Sequence, residues 1–581
     1  MSKKRSVIIA AFSAALLFLA AGLYTFLNPG RTADKKFEAY TNSLFCQEVC
    51  ANTISLHYTL KDPAAYGIQN PPVTLGYCST DSASMCAYAE NALALLKSHD
   101  RGKLCKENQL TYDVLESYLS SSLRQSKYAL YDEPLSPLTG TQAQLPVLLS
   151  EYQFYGKEDI DTYLNLLTQV PEYFKSILAF ESEKSRQGLF MSESRADDII
   201  QECSAFLNMK ENNYLYSSFE ERINQLKLPD SEAKSYMQKN ADCIEQYIYP
   251  AYEEMKNVLH ELRATGKNSG GLCNLPDGDN YYELVVAAET GSGRSIPELQ
   301  KLTKKQMTED LTAMQKILSS ISADPSSPSS DQFKSQGAGL ADTNPSSILA
   351  SLQEKLDGSF PEPPEVNTQI KFVQKSMEEY LSPAFYMIPA IDNAKENVIY
   401  LNPGHMPDDL SLFTTLAHEG YPGHLYQTVY FNAAQPDPIR SLLNFGGYTE
   451  GWATYSEMLS YYFAPIEKEQ ATLMQRNNSV LLGLYALADM GIHYDGWTLL
   501  DTVSFFRSYG ITDTEAIEEI YDLILSDPAN YLKYYIGYVE FLELKKEAIE
   551  KWGKDFSQER FHQAVLDVGP APFELVREYI F

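Results

Sequence analysis

The segment from His418 to His424 places two histidines around a glutamate, Glu419, in a chain with only 8 histidines among 581 residues. In zinc peptidases with an HExxH motif, two histidines four apart on one helix bind the metal and the glutamate activates its water. Here the histidines are six apart, which on an unbroken helix would separate the imidazoles by roughly 240°. Because Pro422 and Gly423 interrupt the helix, we expect a local bulge that returns His424 to the side of His418.

A carboxylate further along the chain can complete the metal site. The segment Tyr448–Glu457 contains Glu450 and Glu457, which are seven residues apart and therefore share one face of a helix. We predict that Glu450 is the third ligand, and that Glu457 either accepts a hydrogen bond from a ligand histidine or faces the substrate. Two histidines, a glutamate and an open position for water are typical of catalytic zinc. Alternatively, His418 is a buried, hydrogen-bonded histidine and the glutamates form a solvated helix face.

The same residues resemble a known protein family. The segment His418–Gln427 is similar to the HE-x-x-P-G-H-x-x-Q signature of the bacterial family called domain of unknown function 885, whose members resemble gluzincin-type zinc metallopeptidases. Other segments resemble blocks of that family, namely Gly271–Tyr282, Tyr448–Glu457, Gly491–His493 with Gly496 and Trp497, and Tyr534–Gly537 with Phe541–Ala548.

The resemblance implies a role for each candidate residue. It makes His418, His424 and Glu450 the ligands of Zn²⁺ and Glu419 the general base. The separation of His424 from Glu450 also resembles that in the angiotensin-converting-enzyme and thimet-oligopeptidase families. These relatives have helices that enclose a deep channel, which implies a large helical metallopeptidase-like fold of that kind.

Two further residues are assigned through the resemblance. Tyr534 matches a family tyrosine whose phenol could donate a hydrogen bond to the oxyanion, although it could equally be one of 41 tyrosines that pack in a core. His493 matches a family histidine that could bind the substrate or the oxyanion. The chain departs from the family at Tyr485, where an arginine usually stands four residues before the residue matching Asp489. We therefore do not expect position 485 to hold a substrate carboxylate.

The composition indicates a large globular protein. Hydrophobic residues make up 44% of the chain and charged residues 21%, values that exclude wholesale disorder and fibrous classes. The formal net charge is −30, from 47 basic and 77 acidic residues. Such a charge repels phosphate backbones, so nucleic acid is excluded as an expected partner.

The N-terminal residues predict export. Lys3, Lys4 and Arg5 precede an uncharged apolar run, Val7–Leu27, which reaches the about 20 residues needed to span a bilayer. We favour an uncleaved membrane anchor within residues 1–34, with the rest of the chain outside the cytoplasm. The alternative is a cleaved signal peptide with its cleavage site near Ala20–Gly22.

The cysteines fit an exported protein. All eight fall in the first half of the chain, and an even count in an oxidising compartment favours disulfides. A metal or redox pair at the first two positions and reduced, buried thiols are the alternatives. The eight residues are Cys46, Cys50, Cys78, Cys86, Cys105, Cys203, Cys243 and Cys273.

The chain reads as two mainly α-helical halves that together form one compact unit. Apolar residues at helical spacing dominate residues 35–320, which also hold every cysteine, and a Ser/Pro-rich loop is predicted for 321–350. Residues 351–581 form the predicted catalytic half. Within that half, Phe385–Ile388 and Asn397–Leu401 have strand character and predict a small sheet edge near the active-site helix.

These observations lead to one main hypothesis about function. The protein is expected to be an exported, Zn²⁺-dependent metallopeptidase that hydrolyses peptides or unfolded tails and touches the membrane only through its N-terminal segment. Two alternatives remain open. One is a surface-anchored peptide-binding protein with a vestigial metal site, and the other is a zinc hydrolase of a non-peptide or cell-wall amide.

Overall fold

The architecture is taken from a computed structural model, which describes residues 33–137, 139–323, 343–373, 375, 378, 381–407 and 409–581. The predicted anchor Val7–Leu27 and the central part of the predicted Ser/Pro-rich loop lie outside these ranges. Within them, no helix is both long enough and apolar enough to cross a membrane.

The described chain is mainly α-helical, which confirms the predicted fold class. The helices before the sheet are α1 Ala33–Val49, α2 Thr53–Thr59, α3 Ser82–Lys97, α4 Lys106–Gln125, α5 Thr141–Ser150, α6 Lys157–Gln187, α7 Glu193–Asn208, α8 Tyr214–Gln225, α9 Asp230–Cys243, α10 Tyr249–Leu262, α11 Gly278–Thr290, α12 Ile296–Ala323 and α13 Pro345–Glu354. Those after it are α14 Asp409–Glu419, α15 His424–Ala433, α16 Gly446–Ser460, α17 Lys468–His493, α18 Leu499–Ser508, α19 Thr514–Ser526, α20 Asn530–Trp552, α21 Gln558–Val568 and α22 Phe573–Ile580.

Helix α13 occupies the end of the predicted Ser/Pro-rich loop. The loop prediction is wrong for residues 345–350, because Asn344 accepts a hydrogen bond from the Ser347 N–H and Pro345 stands in the first turn. An asparagine cap followed by proline is a common way to begin a helix. At the other end of the predicted loop, α12 continues to Ala323.

A small three-stranded sheet lies between α13 and α14, as predicted. Its strands are β1 Asn367–Phe372, β2 Ala384–Met387 and β3 Glu396–Leu401, in the spatial order β1-β3-β2. Strand β1 pairs parallel to β3, and β2 pairs antiparallel to β3 with Tyr386 opposite Ile399. The sequence had indicated β2 and β3 but not β1. Strand β2 is therefore an edge of the sheet.

Two hydrophobic cores stabilise the molecule. One unites α1, α3 and α4 with the helices from α11 onward and with part of the sheet, so it draws on both predicted halves of the chain. The other is built mainly from α5 to α10 and also contains Tyr400 of β3. The enclosed channel implied by the resemblance stays a prediction.

The predicted disulfides are wrong. All eight cysteines lie in the described ranges and all are free thiols. Cys203 is fully buried in the second core, where its sulfur contacts the Met255 sulfur at 3.8 Å, and burial raises the pKa of Cys203 to about 12. A chain of this length buries enough apolar surface to fold without covalent links, so an even cysteine count is a poor guide here.

Helices α16 and α20 approach each other closely through glycines. A Cβ added to Gly451 would lie 2.5 Å from the carbonyl carbon of Gly537, and one added to Gly537 would lie 2.1 Å from the Gly447 oxygen. These distances are shorter than any van der Waals contact, so only glycine allows the two backbones to touch. The contact fixes α16, which carries Glu450, against α20, which carries Tyr534.

We expect Gly451→Ala to lower the free energy of unfolding by about 1–3 kcal/mol, because the added methyl group must push the helices apart. Chemical denaturation monitored by circular dichroism measures the change. Gly156→Ala is the matched control, because a Cβ at Gly156 meets nothing within 4 Å. Equal unfolding free energies for the two variants would contradict the proposed role of the glycine contact.

Candidate metal centre

The two histidines of the motif stand on different helices. Helix α14 ends at Glu419 and α15 begins at His424, with a turn that contains the cis peptide bond Tyr421–Pro422 between them. The expected interruption of the helix and the expected meeting of the histidines both occur, but the interruption is a complete break between two helices and not a local bulge. A proline and a glycine in succession end the first helix completely and allow a second to start in a new direction.

The turn between α14 and α15 is stabilised by a hydrogen bond within the turn and by hydrogen bonds from α16. The Gly423 N–H donates to the Ala417 carbonyl at 2.9 Å, and a Cβ on Gly423 would lie 1.8 Å from the His418 carbonyl oxygen. From α16, Trp452 Nε1 and Ser456 Oγ donate to the Pro422 carbonyl at 2.8 and 3.2 Å. These bonds position the turn that sets His424 beside His418.

The three predicted ligands come together in space. The Nε2 atoms of His424 and His418 lie 3.2 and 3.7 Å from Oε2 of Glu450, and one ligand atom from each residue lies within 4.8 Å of the others. Zinc–ligand bonds of about 2.0–2.1 Å in a tetrahedral site separate the ligand atoms by roughly 3.3 Å. The observed separations suit one such ion.

The state of Glu450 also suits a metal ion. Its Oε2 atom is buried and has no hydrogen-bond partner in the described ranges, although two imidazole nitrogens lie nearby. A buried carboxylate oxygen without a hydrogen bond is costly, and a cation placed between the three residues would compensate it. The two imidazole rings stand nearly perpendicular, at 79°, with their centroids 4.9 Å apart.

Glu457 orients the first histidine, as one of its two predicted roles required. Its Oε2 atom lies 3.1 Å from His418 Nδ1, and its Oε1 atom accepts a hydrogen bond from Asn478 Nδ2 at 3.2 Å. A proton held on Nδ1 leaves Nε2 free to bind a metal. Asn478, on α17, was missed by the sequence analysis because no motif links it to the glutamate.

The electrostatics of the site favour positive charge. Burial lowers the pKa of His418, but the nearby carboxylates of Glu450 and Glu457 outweigh burial and hold that pKa well above its ordinary value. Burial raises the pKa of Glu450, but the two histidines outweigh burial and hold it well below its ordinary value. Three carboxylates, those of Glu419, Glu450 and Glu457, thus surround two imidazoles, and a divalent cation would balance them.

Glu419 is tied to the edge of the sheet. Its Oε2 atom accepts a hydrogen bond from the Tyr386 N–H at 2.8 Å. The Asn402 N–H donates to Pro383 O at 2.9 Å, so the alternation of an antiparallel pair turns the main-chain groups of Ala384 and Tyr386 away from β3. The predicted base therefore lies at the edge of β2 that faces away from β3. A main-chain donor leaves no sequence signal by which to find it.

Tyr534 faces the same centre. Its ring lies over that of His418 with centroids 6.3 Å apart and an interplanar angle of 28°. Burial, followed by the charges of Glu450 and Glu419, raises the pKa of Tyr534 well above its ordinary value, so the phenol keeps its proton. In the described part of the chain, its hydroxyl group makes no hydrogen bond and can donate to a ligand.

His493 does not belong to the metal centre, and its predicted contact with substrate stays a prediction. Its Nδ1 atom accepts from the Leu272 N–H at 3.1 Å, and Nε2 donates to the Ile524 carbonyl at 2.9 Å. Its ring stacks on Tyr282 with centroids 5.3 Å apart. Burial lowers the pKa of His493 to about 4, so the ring is neutral and joins α17 to its neighbours.

Comparisons with known proteins place the chain in a family. Residues 78–580 match the family described as "Bacterial protein of unknown function (DUF885)". The chain belongs to this family. A comparison with curated proteins finds no match.

Two solved structures share the fold of this DUF885 protein. A candidate lipoprotein from Colwellia psychrerythraea has a TM-score of 0.80 and 17% identity, with 94% of this chain and 98% of that chain covered. A candidate lipoprotein of unknown function from Shewanella oneidensis has a TM-score of 0.65 and 17% identity, with 93% and 99% covered. At this identity the likeness establishes the fold alone.

We expect Glu457→Gln to weaken zinc binding about 10–100-fold, because the ligand imidazole loses the carboxylate that fixes its tautomer. Competition with a chelating dye measures the dissociation constant. The control is Glu469→Gln on the exposed start of α17, which should bind zinc as the wild type does. Equal affinities in all three proteins would remove Glu457 from the site.

Proposed function

We propose that this DUF885 protein is an exported zinc metallopeptidase. The observation that carries the proposal is the convergence of His418 Nε2, His424 Nε2 and Glu450 Oε2 within 4.8 Å. The Tyr534 ring lies over that of His418, and the charge of Glu419 acts on both residues. Two imidazoles and one carboxylate leave a fourth position open, as catalytic rather than structural zinc requires.

Each residue around the centre has a role in hydrolysis. Zinc, when bound, supplies a Lewis acid for the scissile carbonyl and lowers the pKa of a coordinated water. Glu419 takes the proton of the attacking water and passes it to the leaving amine. The Tyr534 hydroxyl donates a hydrogen bond to the carbonyl oxygen as negative charge develops there. Glu457 keeps His418 in the tautomer that binds through Nε2.

The position of strand β2 supports a peptide as the substrate. The main-chain groups of Ala384 and Tyr386 face away from β3, on the side where Glu419 lies. Ile388, just beyond the strand, is 59% exposed. An extended peptide can lie along such an edge and form main-chain hydrogen bonds with it, which would bring its backbone to the proposed base.

The proposed location is outside the cytoplasm, with attachment through the segment Val7–Leu27. The two structural neighbours are described as candidate lipoproteins. In this chain the first cysteine is Cys46, which lies inside α1 and is not placed for lipid attachment. The apolar segment would therefore replace the lipid as the anchor.

The metal and the base are tested together. We expect purified wild type to hold about one zinc per chain and to cleave a quenched-fluorescent peptide library. Glu419→Gln should keep the zinc and lose about 10²–10⁴-fold in rate, because the general base is gone, whereas His418→Ala should lose both zinc and activity. Elemental analysis and fluorescence assays on the same samples measure these outcomes.

Glu469→Gln serves as the control for these substitutions and should match the wild type in both assays. Unchanged hydrolysis in Glu419→Gln would refute the assigned mechanism. If the reconstituted wild type held no zinc, a peptide-binding protein would become the better description. Zinc with hydrolysis only of cell-wall amides would keep the chemistry and replace the substrate class.

We expect Tyr534→Phe to lower kcat about 10²–10³-fold while KM changes little, because the phenol acts on charge that is present only in the transition state. Steady-state kinetics on one cleaved peptide measures both constants. Zinc content should stay at the wild-type level, since the tyrosine is not a ligand. A rise in KM without loss of kcat would instead assign the phenol to substrate binding.

A further inference from the structure

A cavity of about 410 Å³ lies next to the metal centre. Glu289 and Tyr281 of α11 line one part of it. Lys533 of α20 and Asp527, in the turn before α20, line another part. Lys533 directly precedes Tyr534, whose ring lies over His418. The cavity and the metal centre therefore share the first turns of α20.

The start of α16 forms a second connection between the cavity and the metal centre. A Cβ added to Gly446, the first residue of α16, would lie 3.3 Å from Glu289 Oε2 and 3.4 Å from Lys533 Cδ. Glu450 follows one helical turn later on α16. The cavity wall formed by Glu289 and Lys533 therefore lies about one helical turn of α16 from Glu450.

The cavity wall nearest the centre has more negative than positive charge. Neither carboxylate, Glu289 nor Asp527, has a hydrogen-bond or ion-pair partner among the residues that the structure describes. Burial raises the pKa of both groups, and the nearby Lys533 offsets the effect in part. The Lys533 ammonium lies 5.6 Å from the centre of the Tyr534 ring. Two carboxylates thus face a single lysine at this end.

The opposite wall of the cavity, which contains Asp132, Glu133 and Arg195, does not change the sign of its net charge. Glu133 is paired with the buried Lys184 at 2.6 Å, which neutralises it. The guanidinium of Arg195 donates to the Leu525 carbonyl at 2.9 Å, and Asp132 adds another carboxylate to the lining. After the Glu133 pair is set aside, three carboxylates face two cations, so the cavity keeps a net negative charge.

We propose that this cavity binds a positively charged group of the substrate, an ammonium or a guanidinium, between Glu289 and Asp527. The Tyr281 ring on the same wall offers an aromatic face to such a cation. A carboxylate in the same place would meet two like charges and one lysine. The proposal rests on the peptidase function and names its substrate class as peptides with a cationic group near the scissile bond.

The experiment measures binding in the zinc-loaded Glu419→Gln protein, so that turnover does not interfere. The probes are end-blocked penta-alanine peptides with lysine at each position in turn, the same peptides with norleucine, and penta-alanine with a free α-amine. We expect lysine at one position, or the free α-amine, to bind roughly 10–100-fold tighter than its uncharged match, the range of one hydrogen bond to a charged group. Titration calorimetry gives the affinities, and the two probe types distinguish a side chain from an N-terminus.

Variants assign the preference to the cavity. Glu289→Gln combined with Asp527→Asn should bring the charged-to-uncharged affinity ratio close to one, whereas Lys533→Gln should raise it because the competing cation is gone. Glu283→Gln, an exposed position on the same helix, should leave the ratio unchanged. If the double variant folds poorly, Lys533→Gln still tests the proposal, because it should raise the charged-to-uncharged affinity ratio, and a lower ratio would contradict the proposal.

The outcomes separate this proposal from the peptidase function. Equal binding of charged and uncharged peptides by every variant would overturn the cavity proposal, as would a preference that survives the double substitution. Zinc-dependent hydrolysis without any cationic preference would contradict the cavity alone. Cation-selective binding in a wild type that hydrolyses nothing would contradict the peptidase function and leave the cavity proposal standing.

Discussion

Backbone contact between α16 and α20 is the constraint on which the site depends. Gly451 and Gly537 leave no space for side chains where the helices cross, so the separation of the two axes is set by the main chains themselves. Glu450 projects from one helix and Tyr534 from the other, and Trp452 of α16 also anchors the turn before His424. One crossing therefore positions Glu450 as a proposed ligand, Tyr534 as the proposed oxyanion donor and, through the turn, His424 as a second proposed ligand.

Charge provides the second constraint. Three carboxylates are gathered around two imidazoles in a half-buried site, where uncompensated negative charge is expensive. In the absence of a metal, a proton on His418 reduces that cost, which explains the raised pKa of its imidazole. The contacts of Glu457 with His418 and Asn478 fix its carboxylate beside the imidazole. A cation at the centre, whether a proton or a metal ion, offsets the charge of the three carboxylates.

The sequence was most informative where residue type and spacing together restrict the possible site residues and secondary structure. His418, His424, Glu450 and Glu457 were found because imidazoles and carboxylates at those separations have few alternative uses, and the helical class and the β2–β3 edge followed from periodicity. The disulfides were mispredicted because a cysteine count says nothing about distances between thiols. The main-chain partners of His493 could not be predicted, because a matched position does not reveal which main-chain groups occupy its nitrogens.

The hydrogen bond from the Tyr386 main chain to Glu419 has an evolutionary consequence. Since every residue except proline carries an amide N–H, this donor does not depend on which side chain stands at position 386. The Tyr386 side chain is itself buried and donates to Asn397 Oδ1 at 2.6 Å, so core packing restricts it. Selection can instead vary an exposed neighbour such as Ile388 and change the surface beside the proposed base, while the main-chain hydrogen bond to Glu419 is kept.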